Sequence, residues 1–145
     1  MERHELTGND AKSYVTAGNA LVTIENAETG VHFTYKVRHK DNKPCFVSLL
    51  TGSNNTSDFT FIGAVFVNKD AGTVSTFKHS PKSRIGQDAK GVAAFNWVWT
   101  RIVTGRELPA SVHIYHHGTC GRCGRTLTTP ESINRGLGPE CAKAS

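Results

Sequence analysis

The chain has 145 residues and a net charge of +5 with histidine neutral, a length that suits one domain with at most a small appendage and suffices to bury a core. Ordinary apolar content and modest charged content exclude wholesale disorder, and no run of about 18 apolar residues offers a membrane helix. The polar opening Met1-Glu2-Arg3-His4 lacks the basic start and apolar block of a secretory leader, so the expected location is the cytoplasm.

In chain order, residues 1–16 are polar without a clear period and read as a loosely ordered arm, or as one short helix at 10–15. Residues 20–27 carry Val22 and Ile24 in alternation. Residues 31–38 alternate more clearly, with Val31, Phe33, Tyr35 and Val37 on one face and His32, Thr34, Lys36 and Arg38 on the other. Period-two alternation is the mark of a half-buried strand, and the Glu28-Thr29-Gly30 link predicts an antiparallel hairpin. Residues 45–50 form an apolar strand after a turn at Asp41-Asn42-Lys43-Pro44. Residues 59–67 form another, with Gly63 signalling a bulge or a close backbone approach. A turn at 68–72 leads into a strand at 73–78, and 79–87 is basic and irregular.

A helix is predicted over 88–104, with Asp88 as its N-cap and Gly105 as its left-handed stop. Val92, Phe95, Trp99, Ile102 and Val103 recur at helical spacing as its buried stripe. Trp97 falls off that stripe, roughly 200° around the axis from Phe95. A last short strand at 111–115 precedes the cysteines, and the alternation there turns His113 away from the core. The order predicts an α+β fold, an antiparallel sheet of four to six strands packed by one long helix. Domain limits follow at 1–16 for the arm, 17–115 for the α+β domain and 116–145 for a C-terminal module of zinc-knuckle type, treble-clef-like or ribbon-like.

The module rests on Cys120-Gly-Arg-Cys123-Gly and Gly138-Pro139-Glu140-Cys141. A C-x2-C pair lets a tight turn aim two sulfurs at one centre, and a cytosolic chain keeps its thiols reduced, so the pattern reads as structural zinc rather than a disulfide frame. A four-cysteine site would need a cysteine where Ala144 stands. The fourth ligand must therefore come from elsewhere: His117, in an H-x2-C relation to Cys120, or His116, or Cys45 reaching across, with His113, water or a partner as further choices. Between the ligands, Thr129, Pro130 and Gly136 mark a short helix, and Leu127, Ile133 and Leu137 make only a tiny core. So small a unit needs its metal to fold. A catalytic zinc would need an open position and a nearby acid or base. Glu140 adjoins Cys141, yet no His-x-Glu precedes the cysteine pair, so a hydrolase or deaminase is the weaker alternative. Walker, GxSxG and HExxH motifs are absent.

The stretch from Cys120 to Cys141, together with Phe-Val-Ser-Leu-Leu-Thr-Gly, Lys-Ser-Arg-Ile-Gly and the Phe-x-Trp-x-Trp helix, resembles phage-encoded uncharacterised proteins that carry a cysteine-rich domain of unknown function, also found in actinobacterial proteins. The resemblance implies a zinc-binding tail on a phage-type accessory protein, placed in the host cytoplasm, with Cys120, Cys123 and Cys141 as ligands. It implies no activity.

Three basic groups could meet phosphate: Lys36, Arg38 and Lys40; Lys82 and Arg84; and Arg122 and Arg125 on the knuckle. Trp97, one helical turn from Arg101, could stack a base or anchor a protein. The leading expectation is a non-enzymatic binding protein with structural zinc and nucleic acid as its partner. A small protein that binds and inhibits a host protein, of anti-defence type, is the alternative. No membrane partner is expected.

Overall fold

The computed structural model describes residues 4–6, 8–40, 43–52, 58–68 and 70–120, with the backbone alone at 8 and 9. The strands are β1 (His4–Leu6), β2 (Asn19–Asn26), β3 (His32–Arg38), β4 (Cys45–Leu50), β5 (Phe59–Val65), β6 (Val67–Asn68), β7 (Thr73–Val74), β8 (Lys78–His79) and β9 (Val112–His116). The helices are α1 (Gly8–Val15) and α2 (Lys90–Val103). The fold is α+β, as the element order predicts. Seven strands form one sheet in the order β1-β9-β2-β3-β4-β5-β8, and β6 pairs with β7 in a small separate hairpin. Every pairing between the described strands is antiparallel. No described helix is long and apolar enough to cross a membrane.

The sheet exceeds the expected four to six strands because both of its edges are short. β1 has three residues and β8 has two, too few to show a period. The described part of the expected arm packs into the domain: Leu6 of β1 and Ala11, Tyr14 and Val15 of α1 are core residues. The expected strand at 73–78 is split between β7 and β8. The last strand lies inside the sheet between β1 and β2, pairing Ile114 with both Leu6 and Ile24. Segments far apart in sequence therefore meet at β9.

α2 is shorter than the predicted span. Its N-cap is Ala89, which makes no side-chain capping bond, and not Asp88. At the other end Gly105 takes the left-handed φ of +74°, and Arg106 N–H closes back on the Arg101 carbonyl at 2.8 Å, the arrangement a helix stop requires. The expected stripe packs inward: Val92, Phe95 and Trp99 are buried, together with Gly91 and Val98. Tyr35 of β3 donates its hydroxyl to the Gly91 carbonyl at 2.6 Å, and Trp99 donates its indole N–H to the Ser75 carbonyl at 2.9 Å. Burial holds the Tyr35 phenol well above the ordinary tyrosine pKa. Tyr35→Phe is expected to lower stability by about 1 kcal/mol, the net worth of one buried hydrogen bond, read from urea unfolding curves.

Gly63 marks a close approach. A Cβ there would lie 2.3 Å from the Lys78 carbonyl, and the β4–β5 register shifts opposite it, between Val47 and Ser48.

Both helices sit on one face of the sheet. α2 meets Tyr35 through its Phe95 ring, and Tyr14 of α1 meets His116. His116 lies across from Val22, and Val22 across from Tyr35, in one cross-strand row. Residues directly opposite one another share a face, so the core face is set. The alternate residues, from Thr34, Lys36 and Arg38 outward along each row, face the other way, and no described helix covers them.

Candidate metal centre and binding faces

Cys120 follows β9 by a short turn and is fully buried. Tyr14 accepts the Leu21 N–H at 3.3 Å, and its hydroxyl lies 3.2 Å from the Leu21 carbonyl and 3.5 Å from that of Thr119, which ties the turn to α1. A thiol and imidazoles are the donors zinc favours, so the question is which imidazole suits it.

His116 is fully buried on the core face, with the rings of His4 at 5.0 Å and Tyr14 at 5.4 Å. Its Nδ1 lies 3.0 Å from the Gly118 N–H. A backbone N–H can only donate, so Nδ1 is the unprotonated nitrogen and Nε2 carries the hydrogen. That tautomer leaves Nε2 no lone pair for a metal.

His117 points to the opposite face, where its Nε2 lies 2.9 Å from Thr23 Oγ1. Thr23, buried, lies in turn 2.8 Å from Thr34 Oγ1 across the β2–β3 pair. A ring nitrogen anchored to a second hydroxyl or carbonyl fixes imidazole orientation and is the usual support of a metal-binding histidine. The Thr23 hydroxyl thus gives His117 the kind of support that a metal-binding imidazole has.

Cys45 is buried in β4 with its thiol pushed up to about 11 by burial. β4 stands three strands from β9, about 14 Å at the usual strand spacing, whereas sulfurs sharing one zinc bind at about 2.3 Å from it. Cys45 is a core thiol far from Cys120. His113 pairs with Glu5 on the outer face, away from the core as the alternation indicates. Among the described residues no three metal-capable side chains converge; Cys123, Cys141, Arg122 and Arg125 lie outside the described residues.

The structure separates the basic groups. Lys36 and Arg38 share the outer face. Partial desolvation, and then the like charge of Arg38, pull the Lys36 ammonium below the ordinary lysine pKa. Lys40 is exposed just beyond β3. Lys82 and Arg84 are exposed in the loop after β8, which is fastened to β5: Ser83 Oγ donates to the Phe61 carbonyl at 2.7 Å, and Ser80 N–H to that of Ile62 at 3.1 Å. That loop therefore borders the β5–β8 edge of the sheet. Trp97 and Arg101 lie apart on α2, with the guanidinium 4.4 Å from the indole centroid and Trp97 42% exposed. Trp97, Val98 and Ala94 line an apolar groove of about 410 Å³ with Ile24, Val31 and Phe33.

The sequence reading missed the other half of the outer face. Arg38 lies opposite Phe46, Phe46 opposite Ala64, and Ala64 opposite Lys78, so one row crosses four strands. The next row runs Lys36, Ser48, Phe61. Phe46 is 42% exposed, its ring 6.0 Å from that of Phe61 in an edge contact. The Lys36 ammonium lies 4.5 Å above the Phe59 ring. The alternation Phe46, Ser48, Leu50 was the available signal, hidden by apolar residues on both faces of β4.

The class defined by these elements is an α+β protein with helices on one sheet face and a cationic, aromatic row on the other. Residues 110–144 are similar to DUF6011, a family of unknown function, so the matched stretch takes in β9 together with the cysteine segment. No curated protein and no solved structure matches the chain.

Proposed function

We propose that this chain is a non-enzymatic binding protein of the phage-accessory kind, whose outer sheet face binds nucleic acid and whose C-terminal module is held by structural zinc. The observation that carries the nucleic-acid reading is the cationic alignment on the open face. Arg38 and Lys78 stand three strands apart in one cross-strand row, and Lys36 in the next. Cations so placed on a rigid sheet can neutralise successive phosphates and release their counterions. The zinc reading rests on the spacing of Cys120, Cys123 and Cys141 and on the Thr23 support of His117, the fourth ligand.

Arg38→Ala/Lys78→Ala is expected to weaken binding across all sequences and to flatten the log affinity against log salt plot by about one unit per lost phosphate contact. Fluorescence anisotropy over a salt series reads both. Unchanged affinity and slope would refute the face as the phosphate site. Lys82→Ala/Arg84→Ala is expected to act in the same direction.

A protein partner is the second reading, favoured by the apolar groove beside Trp97. Exposed Trp and Arg are the residues most often decisive at protein interfaces. Under this reading Trp97→Ala abolishes recovery of a partner from nuclease-treated lysate, and recovery equal to wild type rules it out.

A further inference from the structure

The outer face is not merely basic. Phe46 stands exposed in the middle of the sheet, flanked along its row by Arg38 on one side and by Ala64, then Lys78, on the other. Arg38 and Lys78 are three strand steps apart, about 14 Å. Only the small Ala64 stands between Phe46 and Lys78 in the row. Phe61 meets Phe46 edge-on at 64°, which keeps the two rings at fixed, differing tilts. Phe59, at the far end, is already covered by the Lys36 ammonium.

An exposed aromatic in a strand centre is a poor way to satisfy water, since burying a Phe side chain is worth roughly 1.5–3 kcal/mol. A partner that uses this face must offer both a flat apolar surface and negative charge. An acidic peptide offers charge with few flat faces. A duplex offers phosphates but keeps its base faces inside the stack. An unpaired strand offers both, base faces for the rings and phosphates for the cations.

Resting on the nucleic-acid reading above, we infer that this face binds single-stranded DNA, with bases stacked on Phe46 and Phe61 and the backbone held by Lys36, Arg38 and Lys78. DNA is chosen over RNA because, around Phe46 from β3 to β8, the rows offer rings, cations and one hydroxyl, Ser48, and so little to reward a 2′-hydroxyl, the group by which proteins distinguish RNA.

The test uses the full chain and three labelled probes of equal phosphate number: poly(dT), a DNA hairpin duplex and poly(U). Poly(dT) is expected to bind most tightly. Phe46→Ala is expected to weaken poly(dT) binding about 5- to 150-fold, the usual effect of removing one stacking ring, and to leave duplex binding unchanged. Phe46→Trp, which keeps a stacking surface, is expected to restore poly(dT) affinity and to show indole quenching on binding. Because Phe46 is exposed, both variants keep the fold, checked by circular dichroism. Duplex binding as tight as poly(dT), with Phe46→Ala indifferent, overturns the stacking inference alone and leaves a phosphate-binding face. Tighter binding of poly(U) overturns the choice of DNA. No binding of any probe at low salt overturns the nucleic-acid reading itself, and the inference with it.

Discussion

Phe95→Ala is expected to destabilise the fold by about 3–5 kcal/mol, the range for large aromatic deletions in packed cores. Phe95 is 2% exposed and lies at the meeting point of α2 with the sheet. Its ring stands edge-on to Tyr35 at 5.0 Å and 79°, edge-on to Phe77 at 5.2 Å and 73°, and stacked over Trp99 at 6.0 Å and 11°. Such pairs are worth about 0.5–1.5 kcal/mol each beyond the area they bury. Alanine recovers about half a kcal/mol of helix propensity, far too little to offset the cavity. Domains of this size have about 5–15 kcal/mol of stability in all, so the variant loses a large share of it. Phe95→Leu keeps most of the volume and should cost less. Urea unfolding of the three proteins measures the series, and a loss below about 1 kcal/mol for the alanine variant would show that the helix is not anchored through this ring.

The hairpin of β2 and β3, the strand β4 and the stripe of α2 were all legible, because each is written in local periodicity longer than one turn or two pleats. β1 was not. His4, Glu5 and Leu6 carry no pattern, and they become a strand only because β9 pairs with them across more than a hundred residues of sequence. Asp88 looked like a cap, but the helix begins after Ala89. The outer face was half legible. Lys36 and Arg38 stand out by alternation, whereas Phe46 and Phe61 sit in strands whose two faces are both apolar, so only the cross-strand register assigns them a side. Lys78 joins the row for the same reason, through Ala64. At the cysteine segment, spacing names Cys120 and its neighbours but cannot separate His116 from His117. The two side chains lie on opposite faces, and what separates them is that His116 Nδ1 accepts the Gly118 N–H whereas His117 Nε2 meets the Thr23 hydroxyl.

Those two contacts make the zinc reading sharp enough to test by atoms. Purified protein is expected to contain one equivalent of zinc, and content below about half an equivalent contradicts a four-ligand structural site. Cys120→Ser or strong chelation is expected to unfold the C-terminal module. Metal binding supplies about 10–16 kcal/mol in zinc-finger peptides, against a module with only Leu127, Ile133 and Leu137 as aliphatic ballast. Limited proteolysis reads this, with cleavage expected beyond residue 120 and the strands before it protected. His117→Ala is expected to lose the metal, and His116→Asn to keep it, since the Asn oxygen can still accept the Gly118 N–H. Thr23→Val separates orientation from ligation. It preserves the shape and β-propensity of residue 23 but removes the hydroxyl that His117 Nε2 reaches at 2.9 Å. Losing such a support costs about 10- to 100-fold in metal affinity while the ligands stay in place. Competition with a chromogenic chelator should therefore show weakened zinc at unchanged stoichiometry in Thr23→Val, and lost stoichiometry in His117→Ala. Equal affinity in Thr23→Val and wild type would mean that the Thr34–Thr23–His117 chain holds the sheet together and does nothing for the metal.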